Sequence, residues 1–338
     1  MLFLYTFTHN SLAMIQDKEA KIAIAAVTTA AKLCQQVRHS QAFPTLQKAD
    51  TSPVTIADFG AQAVICQALS EAFPQDPVIA EEDASILIQP EFSAILGQIT
   101  AQVQQLTPQI SQEAVIQAIN WGNGQIAPRY WTLDPIDGTK GFIRGDQYAI
   151  ALALVENGTV KLGVMGCPAL PSITDGTPGV IFVAVRGQGV GEISLSNGEF
   201  TPIQVNAFSD PNQLVRIESV ESTHSDRSVQ AILDQMLGWT QLPSSMDSQA
   251  KYSEIARGKA DLYLRVLLPQ FKTKKENIWD HAAGVIIVEE AGGKVSDLDG
   301  KPLDFSLGSK LSENRGILAS NGLIHQQILA MIAEIEKH

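Results

Sequence analysis

Trp131-Thr132-Leu133-Asp134-Pro135-Ile136-Asp137-Gly138-Thr139-Lys140-Gly141-Phe142 says more about this chain than any other stretch of it. Two carboxylates, Asp134 and Asp137, flank a proline directly after an apolar run. Pro135 fixes its own φ and pushes Asp134 toward an extended backbone. The strand is therefore expected to end at Asp134, with both carboxylates and the Ile136 carbonyl turned toward one point. That is a set of hard oxygen ligands for a divalent cation such as Mg²⁺. Gly138 and Thr139 then offer backbone N–H groups and a hydroxyl where a helix could start, a favourable seat for phosphate. The plain alternative is a turn, because Asp, Pro and Gly are the ordinary turn formers.

The rest of the chain frames that choice. At 338 residues, with 45% hydrophobic and 18% charged content, it is a globular sequence with ample core for one large domain or two ordinary ones. A net charge of −12 argues against a nucleic-acid groove or an anionic membrane surface as partner. It does not exclude an anionic substrate, since acidic residues that bind metal reverse the local field. Cys34, Cys66 and Cys167 are odd in number and far apart, so they read as small buried hydrophobes in a reducing compartment. The apolar opening Met1 to Tyr5 lacks a basic flank and a cleavage pattern, and no apolar run approaches the ~20 residues of a membrane span. A cytoplasmic protein, monomeric or weakly self-associating, is the expectation.

Periodicity predicts helices over 11–39 and 61–73, the second preceded by Asp58, a ready N-cap. Val78-Ile79-Ala80 reads as a short buried strand that runs into Glu81-Glu82-Asp83. Residues 84–130 are helical, Gln-rich and mostly polar, with a Gly-Asn-Gly break at 122–124, and read as a peripheral insert. Segments 148–155, 160–166, 180–186 and 201–205 are rich in β-formers and separated by turn signals, including glycines over 187–191. They predict a meandering, largely antiparallel sheet. After about residue 208 strands (214–218, 261–267, 294–296, 316–319) alternate with helices (225–237, 249–257, 280–291, 322–336). That α/β pattern places a boundary between a domain over 1–208 and one over 209–338.

Two further acidic positions sit at element ends. Glu81 and Glu82 close a buried strand, though a solvated charge run is the commoner fate of such an acidic triplet. Asp280 opens an amphipathic helix through Val285, Ile286, Val288 and Ala291, where it could simply be an N-cap. Loop-borne chemistry usually collects at such ends.

Four stretches in order, Lys48 to Asp58, Ala80-Glu81-Glu82-Asp83, Asp134 to Thr139 and Trp279-Asp280-His281-Ala282-Ala283-Gly284, resemble the inositol monophosphatase superfamily of Mg²⁺-dependent, lithium-sensitive phosphatases. The match spans nearly the whole chain. Lys140 to Ala149, Gly166-Cys167-Pro168, Ser248 to Tyr252 and Asp261 to Arg265 are similar to the 3′(2′),5′-bisphosphate nucleotidase branch. The resemblance implies an α+β or α/β fold layered α-β-α-β-α, of the sugar-phosphatase type, with the active site between two subdomains. It implies two or three Mg²⁺ ions on Glu81, Asp134, the Ile136 carbonyl, Asp137 and Asp280, and an attacking water oriented and deprotonated by Asp58 with Thr139. Thr139, His224, Ser248, Lys251, Arg265 and Asp280 would hold a small nucleotide. Glu82 is acidic at a matching place without being an expected ligand, and His224 alone would pass for a surface or capping histidine.

The implied reaction is hydrolysis of adenosine 3′,5′-bisphosphate to AMP and phosphate, with 3′-phosphoadenylyl sulfate as a further substrate and a role in sulfur metabolism. Alternatives on the same scaffold are inositol monophosphatase, inositol polyphosphate phosphatase or fructose-1,6-bisphosphatase activity, or an inactive metal- or nucleotide-binding regulator. Ala80 stands where the family usually has glycine. Lys272, Lys274 and Lys275 lengthen the approach to Asp280, as helpers for a polyanion or as a solvated loop.

Overall fold

The computed structural model describes residues 17–337 apart from 41–42, 49–50, 222–224, 240 and 268–274. Helix α1 (Lys18–His39) is lined on one side by Ala20, Ala23, Val27, Ala30, Ala31 and Cys34, all buried, and these small side chains let it lie close against its neighbours. A short antiparallel pair, β1 (Thr45–Gln47) and β2 (Pro53–Thr55), leads into α2 (Ile56–Ala72). Strand β3 (Val78–Ala80) follows, then α3 (Ser93–Gln104) and α4 (Gln112–Asn120). Strand β4 (Arg129–Asp137) and the short helix α5 (Thr139–Arg144) carry the decisive stretch.

A meander completes the large sheet: β5 (Ala149–Glu156), β6 (Thr159–Pro171), β7 (Pro178–Val185), β8 (Gly189–Ser194) and β9 (Phe200–Pro202). Its seven strands lie in chain order, β3 parallel to β4 and every later pair antiparallel. The chain then builds β10 (Arg216–Glu218), α6 (Arg227–Leu237), β11 (Ser244–Ser245), α7 (Ala250–Ala256), β12 (Leu262–Arg265), α8 (Ala282–Glu290), β13 (Lys294–Ser296), β14 (Ile317–Ser320) and α9 (His325–Ile335). The second sheet has the order β11-β10-β12-β14-β13. Stacking is α1 and α2, large sheet, α7 and α8, small sheet, then α6 and α9, which is the expected five-layer sandwich.

Several expectations change. Strand β4 does not end at Asp134 but runs to Asp137, with one extra residue against β5 between Asp134 and Asp137. Pro135 is tolerated because β3 pairs with β4 only as far as Leu133, so that edge of β4 is already open there. The glycines over 187–191 are not just a separator, since β8 starts at Gly189. Residues 84–130 are not peripheral either: Leu96, Ile99, Val103, Val115 and Ile119 are buried, and α3 and α4 pack on α2. Helix α8 is not amphipathic. Ala282 to Val288 are all buried, because the helix lies between two sheets and has no side left for water. Its first helical residue is Ala282, so Asp280 lies in the preceding turn and does not cap it.

Close approach makes that middle layer possible. A Cβ on Gly163 of β6 would meet Ile286 Cγ2 at 2.5 Å, and one on Gly284 would meet the Tyr252 ring at 2.4 Å. Gly284→Ala is expected to cost about 1–3 kcal/mol by overpacking. A urea unfolding midpoint equal to that of the parent protein would contradict this packing.

Candidate active site: a carboxylate cleft between the two sheets

The parallel pairing of β3 with β4 sets Ala80 opposite Leu133, so the residues that follow, Glu81 and Asp134, emerge side by side. The extra residue in β4 then turns Asp137 into the same space, and the turn before α8 brings Asp280 from the other side of the layer. Glu81, Asp134, Ile136, Asp137, Thr139, Ser248, Lys251, Arg265 and Asp280 all line one cleft. The positions read from the sequence as metal and substrate residues therefore converge, except His224, which lies outside the described residues with Lys272 and Lys274.

Asp58 sits just behind Thr139 and is fully buried. Its Oδ2 accepts the Thr55 N–H at 2.8 Å and the Thr55 hydroxyl at 2.7 Å, while its Oδ1 accepts the Thr139 hydroxyl at 3.0 Å. The N-cap reading is corrected: α2 begins at Ile56 with Thr55 as its N-cap, and Asp58 lies inside the helix as the N3 member of the capping box. One carboxylate serves the helix with one oxygen and Thr139 with the other. Burial pushes its pKa up to about 6, against the hydrogen bonds from Thr55, which hold it down.

The cluster is electrostatically uncomfortable. Asp134 is buried and its Oδ1 has no hydrogen-bond partner. Burial, then the charges of Glu81, Asp137 and Asp280, hold the Asp134 carboxyl well above the usual carboxylate range. Asp280 is raised in the same way by burial and by Asp137 and Glu81. Asp137 is raised less, since Lys251 and the Gln249 N–H, which donates to its Oδ2 at 2.6 Å, favour the anion. Hard-oxygen donors that repel one another, one of them buried with an orphaned oxygen, fit a divalent cation such as Mg²⁺.

The sequence reading missed Lys48. Its ammonium bridges Glu81, at 2.7 Å, and Glu82. Its place at the head of the first matching stretch was the only signal. A second omission is Glu276. Its carboxylate takes the Arg265 fork at 3.0 and 2.8 Å and is held low by that charge, although burial opposes it. Glu276, Asp280 and His281 present ligand atoms within 4.8 Å of one another. Glu276 has already committed its charge to Arg265, which leaves Asp280 as the member facing the other carboxylates. His281 Nδ1 pairs with the Tyr252 hydroxyl at 2.8 Å, and burial lowers the ring's pKa against the pull of Glu276. Lys251 donates to the carbonyls of Met246 and Ser248, and burial lowers its pKa to about 8. Ser248 itself has φ +69°, a left-handed backbone that is strained for a non-glycine residue and borders the cleft.

Residues 15–337 match the inositol monophosphatase family. The chain belongs to that family. It is 43% identical over 340 residues to a 3′(2′),5′-bisphosphate nucleotidase of Schizosaccharomyces pombe, covering 94% of this chain and 96% of that one. A protein of the same name from Emericella nidulans is 41% identical, covering 96% and 100%. Among solved structures, the Thermotoga maritima IMPase superposes with a TM-score of 0.65 at 23% identity, covering 95% of this chain and 99% of its own, which establishes the shared fold. Like these relatives, this family member is matched along essentially its full length.

A family member with this cluster should lose stability as pH rises. Folding lifts the carboxyl pKa values, so above pH ~4 the native protein keeps protons that the unfolded chain has released. The metal-free melting temperature of the parent is expected to fall more steeply with pH than that of Asp134→Asn, and Mg²⁺ is expected to offset the fall in the parent alone. Parallel melting curves for the two proteins across pH 4–8, with no difference in the Mg²⁺ response, would contradict the cluster's repulsion.

Proposed function

We propose that this chain is a Mg²⁺-dependent 3′(2′),5′-bisphosphate nucleotidase. It takes the 3′-phosphate from adenosine 3′,5′-bisphosphate, and acts on 3′-phosphoadenylyl sulfate by the same chemistry, within sulfur metabolism. The supporting observation is that relatives of that name align at 43% and 41% identity across almost the whole chain, while the acidic cluster and Thr139, backed by Asp58, border one cleft.

Phosphate monoesters are among the slowest compounds to hydrolyse unaided. Glu81, Asp134, the Ile136 carbonyl, Asp137 and Asp280 are the groups to hold the ions. What such ions supply when bound is charge neutralisation at the phosphate and acidification of water.

The chain's own residues then handle the proton. The single Thr139 hydroxyl proton has two acceptors in reach, Asp58 Oδ1 at 3.0 Å and the Ile136 carbonyl at 3.1 Å; given to Asp58, it leaves an Oγ1 lone pair to accept a proton from the attacking water. As the water proton moves to Thr139, the Thr139 proton moves to Asp58, whose burial makes it basic enough to keep it. The Ile136 carbonyl, 3.1 Å from the same hydroxyl, fixes where that oxygen sits. Ser248, Lys251, Arg265 and His224 are the groups proposed to hold the nucleotide.

Phosphate release from adenosine 3′,5′-bisphosphate, measured beside inositol 1-phosphate and fructose 1,6-bisphosphate with and without Mg²⁺, tests the assignment. The nucleotide should be the preferred substrate and Asp134→Ala should abolish its turnover. Tight nucleotide binding without turnover would instead mark a regulator. Asp58→Asn should cut kcat about 10²- to 10⁴-fold with little change in KM, since Asp58 acts on the water. A defect confined to KM would contradict that role. The parent's kcat/KM should also rise with pH through the Asp58 titration, because only the anion can take the proton, and millimolar Li⁺ should inhibit.

A further inference from the structure

Three cations line the cleft among the described residues: Lys140, Lys251 and Arg265. Lys251 turns its ammonium to two backbone carbonyls and lies over the Tyr263 ring, 5.3 Å from its centre. Arg265 is forked onto Glu276. Lys140 differs from both. Its side chain is 53% exposed, and its ammonium meets Glu221 Oε2 at 3.0 Å. Arg144, one turn further along α5, meets the other oxygen of the same carboxylate at 3.0 Å. Arg144 is itself anchored by buried Asp247 at 2.6 Å and by Asp146 at 3.0 Å.

Two cations from α5 therefore converge on one anion reaching over from the small-sheet side, at the rim of the cleft. Lys140 is the residue directly after Thr139, and Lys140 and Glu221 both line the cleft that Thr139 borders. Resting on the nucleotidase reading, we propose that Lys140 and Arg144 form the seat for the substrate's non-reacting phosphate, and that Glu221 occupies this seat until the nucleotide displaces it. The exchange is favourable in sign. Ion pairs this exposed hold weakly, whereas a phosphate dianion brings more charge and more acceptor oxygens to the same donors. The Asp247 anchor keeps the Arg144 guanidinium in place after Glu221 leaves. Glu221 thus discriminates by charge: a ligand with only the reacting phosphate cannot repay the broken pair, and a bisphosphate can.

AMP, which keeps only the non-reacting phosphate, is the probe. Calorimetric titration of the full chain in Mg²⁺ buffer should show AMP binding several-fold tighter to Glu221→Gln and several-fold weaker to Lys140→Gln than to the parent. In the same proteins the ratio of kcat/KM for adenosine 3′,5′-bisphosphate to that for adenosine 3′-monophosphate should rise and fall in the same order. AMP affinity equal in all three, or shifted in one direction by both substitutions, overturns the rim site even where the bisphosphate is hydrolysed. Opposite shifts in AMP affinity without phosphate release would uphold the rim site while the nucleotidase reading falls.

Discussion

Carboxylates of like charge do not gather in one cleft without a counter-cation, and this fold holds four of them there, Asp134 buried and the other three half-buried. Glu81 and Asp134 are fixed by the single parallel pairing in an otherwise antiparallel sheet. Asp137 is turned inward by one extra residue in β4. Asp280 is delivered by the turn ahead of a helix clamped between two sheets. Removing one partner from a buried ionic cluster leaves the others uncompensated. Here the imbalance is already present: Lys48 answers Glu81 and Glu82, Lys251 answers part of Asp137, and Asp134 Oδ1 has no partner.

The same economy appears at Asp58. A capping box closes α2, and the geometry that satisfies the helix also aims the second carboxylate oxygen at Thr139. The Thr55 donors fix the rotamer, burial raises the basicity, and the short helix α5 positions the hydroxyl. Local structure and the geometry available for chemistry are one arrangement here: one Asp58 oxygen belongs to the capping box and the other accepts the Thr139 hydroxyl.

How much of this was legible depended on distance along the chain. The convergence of Asp134 to Thr139 could be read directly, because two carboxylates, a turn and a helix start are consecutive, although β4 runs on to Asp137. The layer order and the other candidate ligands became visible only through four matching stretches in register. What failed was long-range or set by packing. The burial of α8 on every side follows from a sheet above and a sheet below, and its apolar residues also fit an amphipathic pattern. The glycines near 189 look like a turn until Gly191 is seen packed against the Phe200 ring of β9. The Lys48 bridge and the Arg265–Glu276 pair join residues whose types are unremarkable in sequence.

Diffraction from crystals grown with Mn²⁺ in place of Mg²⁺ addresses the central claim most directly, since anomalous scattering locates each ion independently of the protein atoms. The account expects peaks inside the cleft within bonding distance of Glu81, Asp134, Asp137 and Asp280, with Lys48 displaced from Glu81 or retained on Glu82 alone. Ions bound elsewhere, or a cleft without a peak at saturating Mn²⁺, would contradict it.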